Sequence, residues 1–311
     1  MEARGRNAPK AAPDVFNGFT SIALNRDFRS GNRSARRTLT ESFDEGWAWA
    51  TEDGEGNCSL QLVVDHARLE RPLEALHEQL VERLSLIPER LGQLQPLSAV
   101  LARGIQPVLR GGLVDNRQLR VGDAAYSCDP LSGHGMYEAL AGAFAAAPTI
   151  NTLLRCSERS AMACSFYRQR AEALFHERLQ TAREFYRSEI RWPHSAFWLL
   201  RRQLALPQLA SEPLVAGLFP MAVVEDGLIV ERNVVRTAEY PRGVRFVANV
   251  DLAILLNDIH RPQEEFRAEK LACQLMVPAN NIRQALEWLQ RSGLVRCGCD
   301  DLTSRAEPAT T

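Results

Sequence analysis

One stretch of the sequence combines an acid with bare backbone in an order that suits ligand binding. It reads VGDAAYSCDPLSGHGM: an apolar strand ends in Gly122 and Asp123, a small-residue loop runs through Pro130, and Gly133 and Gly135 open an apolar helix. A carboxylate at a strand end can accept hydrogen bonds from ribose-like hydroxyls. Glycine allows close approach of the backbone. We therefore expect a ligand with a polyol chain and an electron-rich head.

The helix after this loop points its N-terminus at the same place. Helix N-termini carry free N–H groups and about half a positive charge. Such an end stabilises the negative charge that a flavin ring gains on reduction. The alternative is a plain strand-turn-helix with an Asp cap. The ordered Asp, Pro and paired Gly favour the flavin.

The stretch resembles the second FAD-contacting segment of the FAD-dependent monooxygenases related to p-hydroxybenzoate hydroxylase and the tryptophan halogenases. The resemblance implies an α/β fold in which Asp123 binds the ribityl chain of FAD. It also implies that the loop 130–136 lies along the isoalloxazine ring. The other residues of this stretch implied to contact FAD are Gly122, Pro130, Gly133, His134, Gly135 and Met136.

Two further segments share the resemblance, which covers residues 2–155 in motif order. EARGRNAP resembles the family's DA-x-GR strand, so Arg4, Gly5 and Arg6 are expected near the nucleotide part of FAD. GWAW resembles the sheet segment that faces the substrate, which implies a pocket role for Trp47 and Trp49. The alternative for the two tryptophans is hydrophobic filling, since buried Trp usually belongs to the core.

The family's opening strand, G-x-G-x-x-G turn and helix have no counterpart in the sequence. That segment seats the FAD pyrophosphate. We expect a family member that lacks about a hundred residues at its start, from usual domain sizes. The missing segment weakens the expected hold of this chain alone on FAD.

Periodicity and turn residues predict the elements around these motifs. A strand through Trp47, the turn EDGEGN and a strand over 59–64 predict a hairpin. The helix after Gly133 is apolar nearly all round, which predicts burial. Residues 157–191 form one long amphipathic helix by pattern, and 207–213 resembles a linker.

These elements predict an α/β (α+β) chain: part of an FAD-binding domain, a substrate-domain β-sheet, long helices and a winged-helix-like C-terminal domain. The predicted parts are an FAD-binding remnant (1–30 and 115–155), the substrate-domain sheet and helix (31–114), a helical region (156–212), the winged-helix-like domain (213–302) and a disordered tail (303–311).

Strands followed by three helices resemble the peptide-binding winged-helix elements of peptide-modifying enzymes. The last helix has only Arg283 and Arg291 as basic residues, which favours peptide over DNA. A dimerisation or lid domain is an equal alternative. For peptide capture we expect an edge strand within 227–247 and a partly exposed Trp288 lining a groove on the helix over 280–292.

The composition of the chain argues against several classes of partner and site. The net charge is -1, from 37 basic and 38 acidic residues, so we expect neither nucleic acid nor membrane partners. Cys297 and Cys299 form a lone C-x-C, so we expect no metal site. The first residues lack the apolar region of a secretory signal. A cytoplasmic location with free thiols is therefore expected.

The predicted function is an FAD-dependent hydroxylase of an aromatic ring. The segment YRSEIRWPHSAFWLLRR resembles the flavoproteins that hydroxylate a peptidyl Trp during maturation of quinohemoprotein amine dehydrogenases. Partners would be an aromatic or peptide substrate and peptide-modification proteins. A truncated non-catalytic remnant or a peptide-binding adaptor is the alternative. A halogenase is less favoured, because Ala50, Thr51 and Glu52 break the W-x-W-x-I-P pattern. No catalytic residue is assigned.

Overall fold

The computed structural model describes residues 1–17, 19–31, 36–69, 72–204, 215–260 and 268–295. The chain forms two compact units, Met1–Pro207 and Gln208–Thr311. The predicted linker (207–213) and tail (303–311) lie outside the described residues, as do Cys297 and Cys299.

The first unit mixes antiparallel sheets with long helices, which confirms the mixed α/β class. Its strands are β1 (Phe16–Asn17), β2 (Ser21–Ser30), β3 (Arg37–Phe43), β4 (Gly46–Glu52), β5 (Asn57–Asp65), β6 (Leu94–Pro96), β7 (Leu101–Gly104), β8 (Val108–Leu109) and β9 (Tyr126–Ser127). Its helices are α1 (Leu73–Val81), α2 (Leu86–Leu91), α3 (Gly135–Arg155), α4 (Ser160–Ser188) and α5 (Ala196–Arg202).

The main sheet has the order β3-β4-β5-β2-β6, and β7 pairs with β2 beside β6. All its pairs are antiparallel. The predicted hairpin is confirmed as β4–β5, with Trp47 opposite Val63. Gly54 and Gly56 in its turn have φ of 86° and 89°, which glycine adopts without strain. The sheet also includes Ser21–Ser30, in addition to strands within the predicted 31–114.

Helices cover both faces of this sheet. One face packs on α1 and α2 through a core that includes Leu24, Leu62 and Leu80. The opposite face packs on α4 and α5 through Trp47, Tyr186 and other aromatic residues. The alternation of side chains along each strand explains why neighbouring residues join different cores. Further along, α4 packs on β8 and the segment around Tyr126. It therefore supports both the sheet and the predicted flavin segment.

The prediction that the helix after Gly133 is buried on all sides is wrong. One face of α3 packs on the unit through Ala145, Ala146 and buried polar residues. The opposite face exposes large apolar side chains, and we call this set the α3 apolar face: Met136, Tyr137, Leu140, Phe144 and Leu154, each 63–85% exposed. A helix that is apolar on every side is fully buried only if other elements pack against each of its faces.

The second unit contains β10 (Gly217–Glu225), β11 (Leu228–Arg236), β12 (Phe246–Val247), β13 (Val250–Asp251), α6 (Leu252–Ile259), α7 (Ala268–Leu275) and α8 (Ala279–Arg291). β10 and β11 form a long antiparallel hairpin, and the helices share one apolar core. Trp288 is partly exposed, as predicted, and its ring centroid lies 5.6 Å from that of Tyr240. Its place in a groove stays a prediction.

Candidate flavin-binding site

The structure brings the two predicted FAD-contacting segments together. Glu2 forms a parallel bridge with Arg120. The Glu2 N–H donates to the Leu119 carbonyl at 2.8 Å, and the Val121 N–H donates to the Glu2 carbonyl at 3.0 Å. The chain leaving Glu2 therefore runs beside the chain that enters Gly122.

Asp123 lies at the junction of these segments. Its carboxylate Oδ2 is 3.4 Å from Nε of Arg6, and its side chain is 45% exposed. A Cβ built on Gly5 would lie 4.0 Å from that of Asp123. Gly5 and Gly122 have φ of 63° and 56°, a region that favours glycine. The carboxylate is thus held by one cation and still accessible to a ligand.

Arg4 turns away from this junction. It is exposed and pairs with Glu2, with Nη2 at 2.5 Å from Oε2. Hydrogen bonds from Arg4 lower the pKa of Glu2 to about 2. Arg4, Lys10 and Arg120 line an open cleft of about 260 Å³. Cationic side chains therefore gather beside the segment predicted to meet the nucleotide.

The loop between Asp129 and α3 is shaped by its own hydrogen bonds. Oδ1 of Asp129 accepts from the Leu131 N–H at 2.9 Å, and the Gly133 N–H donates to the Pro130 carbonyl at 3.0 Å. Pro130 opens a short 3-10 helix, and Gly133 ends it in the left-handed conformation with φ of 69°. His134 then leads into α3.

The protein's own packing does not explain Gly135. Its backbone is helical, and a Cβ built on it would meet no atom within 4 Å. Beside it, the buried Nδ1 of His134 has no hydrogen-bond partner within the described part of the chain. The N–H groups of the first helical turn have no carbonyl partner inside the helix. Glycine here leaves this polar backbone open, which fits the contact expected of a flavin ring.

A buried ion pair lies behind the start of α3, and the sequence did not predict it. Nε of Arg178 on α4 donates to Oε1 of Glu138 on α3 at 2.6 Å. The Tyr126 hydroxyl donates to Oε2 of Glu138 at 2.8 Å. Glu138 is the signal that could have shown it, because it is an acid in the apolar run MYEALAG. The pair joins three elements around the motif.

Asp129 is also buried and contacts α4. The Tyr186 hydroxyl donates to both of its carboxylate oxygens, at 3.1 and 3.2 Å. Burial raises the pKa of Asp129, while the Leu131 N–H and the charge of Arg201 oppose that shift. No spacing rule joins residues 129 and 186, so the sequence held no local signal for this contact.

The tryptophans of β4 lie on one face of the sheet but in different surroundings. Trp47 is buried among Ala23, Val63 and Tyr186, so it fills the core between sheet and α4. Trp49 is 42% exposed. The assignment of both residues to a substrate pocket stays a prediction.

Among the described residues, no group of three or more His, Cys, Asp or Glu side chains could hold a metal ion. Every helix in those ranges is too short or too polar to cross a bilayer.

No family model matches the sequence. The structure is similar to the peptidyl tryptophan dihydroxylase QhpG, which is essential for tryptophylquinone cofactor biogenesis. The TM-score is 0.75 and the sequences are 33% identical, over 94% of this chain and 68% of QhpG. The flavin-dependent halogenase CmlS gives a TM-score of 0.70 at 17% identity, over 94% of this chain and 67% of CmlS, which is a likeness of fold.

A curated relative is the digeranylgeranylglycerophospholipid reductase of Methanocella arvoryzae. It is 31% identical over 122 residues, which make up 39% of this chain and 29% of the reductase. The match thus spans less than a third of that protein. The similarity to QhpG covers most of both chains at 33% identity. The chain belongs to the family of FAD-dependent monooxygenases and halogenases.

Proposed function

We propose that this chain carries the flavin-facing and substrate-facing parts of an FAD-dependent hydroxylase that acts on a peptidyl tryptophan. The observation that carries the proposal is the junction of Gly5 and Arg6 with Gly122 and Asp123, beside the open start of α3 at Gly135. The similarity to QhpG, which by name is a peptidyl tryptophan dihydroxylase, supports the substrate class.

Each part of the junction has a task toward FAD. Asp123, oriented by Arg6, accepts hydrogen bonds from the ribityl hydroxyls. The N–H groups in the first turn of α3 would stabilise negative charge on the ring of bound FAD. Glu138 and Arg178 hold that turn on α4. Bound FAD supplies the activation of molecular oxygen that hydroxylation requires.

Two observations favour hydroxylation over halogenation. The identity to QhpG is 33%, against 17% to the halogenase CmlS. The W-x-W-x-I-P pattern of halogenases is broken after Trp49, and Thr51 and Glu52 occupy its last two positions.

We assign the second unit to a winged-helix-like peptide-binding domain. Among the described residues, β10 pairs with β11 alone, so its outer edge is free of strand partners there. This edge, Gly217–Glu225, lies outside the range 227–247 in which the edge strand was expected. An added peptide strand could use that edge. Arg283 lies 3.6 Å from Glu269 and Arg291 lies 3.4 Å from Glu287. These acids offset the positive charge that binding to nucleic acid phosphates would need.

Flavin binding is tested by titrating the purified chain with FAD. We expect Asp123→Ala to weaken binding by about 1.5–3 kcal/mol, the range for a hydrogen bond to a charged group. Asp27→Ala removes an exposed carboxylate on β2 and should leave the affinity unchanged. Equal FAD affinity of the Asp123→Ala variant and the wild type would contradict the assigned role.

Substrate class is tested with FAD, a reductant and oxygen on a tryptophan-bearing peptide and on free tryptophan. We expect a mass gain of one or two oxygen atoms in the peptide alone. Oxygenation of free tryptophan only would overturn the peptide assignment. Peptide binding without oxygenation would instead identify an adaptor.

A further inference from the structure

A buried hydrogen bond ties the loop before α3 to the long helix α4. We propose that Asp129 and Tyr186 are positioning residues, which fix the loop 130–134 and thereby the start of α3 against the ligand. The identity of the ligand rests on the proposed function. The anchoring of the loop rests only on contacts within the first unit.

Asp129 is the fixed end of this loop. It is 3% exposed, and its carboxylate accepts from the N–H of Leu131 and from the hydroxyl of Tyr186. Its backbone carbonyl accepts from the N–H of Ser132 at 3.1 Å and from the Ser132 hydroxyl at 2.7 Å. One residue thus shapes the turn through its backbone and anchors it through its side chain.

Tyr186 is held rigidly on the other side. Its ring meets Phe19, Phe197 and Trp198 edge-on, with centroids 5.8–6.3 Å apart. Such edge-on aromatic pairs stabilise the packing beyond the burial of their surface. The position of the hydroxyl is therefore determined by the core between sheet and helices.

Arg201 closes the arrangement behind Tyr186. It is fully buried, and its guanidinium lies 5.7 Å from the centroid of the Tyr186 ring. Nη2 of Arg201 donates to Oδ1 of Asp65 and to Oγ of Ser21, both at 2.7 Å. These two residues belong to β5 and β2. The loop is thus connected, through Tyr186 and Arg201, to the central strands of the sheet.

The far end of the loop has few contacts of its own. A Cβ built on Gly133 would meet nothing within 4 Å. Leu131 packs partly against the cluster that contains Tyr186, so this contact leads back to the same anchor. Loss of the hydrogen bond from Tyr186 to Asp129 should therefore loosen the loop up to the beginning of α3.

The first test uses hydrogen exchange in the full chain without FAD. In Tyr186→Phe we expect the amides of Leu131, Ser132 and Gly133 to exchange about ten-fold faster, because the hydrogen bond to Asp129 is lost. The aromatic ring and its packing are kept. Tyr167→Phe is the matched control, since Tyr167 is also buried on α4 and its hydroxyl donates to the Arg120 carbonyl. It should leave those three amides unchanged.

A merely structural role for Tyr186 would predict a uniform effect. Both Tyr variants would then lower the melting temperature and speed exchange throughout α4, with no excess at the loop. That outcome overturns the proposal. Adding Tyr186→Phe to Asp129→Ala should give little further exchange at the loop, because the carboxylate that accepts from the Tyr186 hydroxyl is already absent. Additive effects would contradict the pairing.

The second test repeats the comparison with FAD. We expect Tyr186→Phe to bind FAD, seen as a flavin spectrum, and to shift the reduction potential of the bound flavin from that of the wild type. If the wild type binds no FAD, the proposed function fails while the exchange result still decides the anchor. If FAD binds and its potential is the same in Tyr186→Phe and in the wild type, the role toward the ligand is overturned.

Discussion

At the scale of single residues, His77 is a histidine buried inside the first unit. Its side chain is fully buried on α1, and neither ring nitrogen has a hydrogen bond among the described residues. Its ring lies 5.7 Å from that of Phe28. Burial, with the charge of Arg26 adding to it, lowers the pKa of His77 to about 4. The folded protein therefore holds this histidine neutral.

This pKa predicts a loss of stability in mild acid. The folded pKa lies below the ordinary 6.5, so the unfolded chain binds more protons between these values. Stability is complete above about pH 6.5 and is lost as the pH falls toward 4. Between pH 7 and pH 5 the wild type should lose about 2 kcal/mol more unfolding free energy than His77→Leu. Denaturant titrations at both pH values measure this.

The control for this prediction is His66→Gln, which removes an exposed histidine and should keep the pH dependence of the wild type. An identical loss of stability in wild type and His77→Leu would show that His77 does not titrate in this range.

At the scale of elements, a residue from the sheet caps a helix. Glu41 on β3 accepts from the N–H groups of Ser85, Leu86 and Ile87 at 2.6–3.0 Å, at the start of α2. Burial raises the pKa of Glu41, but these N–H groups outweigh it and leave the pKa below its usual value. One carboxylate thus satisfies the free donors of the helix.

We expect Glu41→Gln to lower the free energy of unfolding by about 1–3 kcal/mol at pH 7, since a neutral amide replaces the charged acceptor. Because the folded pKa of Glu41 is lowered, its contribution is present above its unfolded pKa and lost as the pH falls below it. The difference between variant and wild type should therefore shrink in acid.

Glu82→Gln, at the exposed end of α1, serves as the control and should change stability by less than about 0.5 kcal/mol. A Glu41→Gln protein as stable as this control would argue against the cap.

The elements also show what could be predicted from the sequence. The β4–β5 hairpin was predictable because the turn EDGEGN and the flanking strands are adjacent in sequence. The exposed face of α3 was not, because composition cannot tell which sides of a helix have neighbours. The Glu41 cap joins residues 44–46 positions apart, so no local pattern marks it.

Some features of the candidate site could likewise be predicted from the sequence, and others could not. The Gly122–Asp123 turn and the glycines before α3 are local, and the sequence gives them directly. The family resemblance predicted that Arg6 and Asp123 both lie near FAD, but the ion pair between them was not predicted. The contact of Tyr186 with Asp129 depends on how α4 crosses the unit, which a single sequence does not encode in any short pattern.

At the scale of the whole molecule, the α3 apolar face is a surface of unusual composition. Large apolar side chains repeat along it at positions 136, 140 and 144, on successive turns. Contiguous apolar patches on soluble proteins mark contacts or promote aggregation. The purified chain should therefore bind a hydrophobic dye, and it should self-associate as the protein concentration rises.

Leu140→Gln combined with Phe144→Gln should reduce both dye binding and association, measured by sedimentation, while the melting temperature stays close to that of the wild type. Ile190→Gln removes a comparably exposed apolar side chain outside this face and should change neither. A wild-type chain that is monomeric and dye-free would refute the prediction.

The junction at Asp123 has a consequence for the order of folding. The Arg120 guanidinium donates to the Pro9 carbonyl, 111 positions away in sequence. Closing so large a loop costs more chain entropy than closing a hairpin, and such non-local contacts slow folding. The antiparallel sheet can therefore assemble before the proposed cofactor site forms. The same contacts should be among the first to open. A bound cofactor would therefore stabilise the N-terminal segment, and it would do so only late in folding.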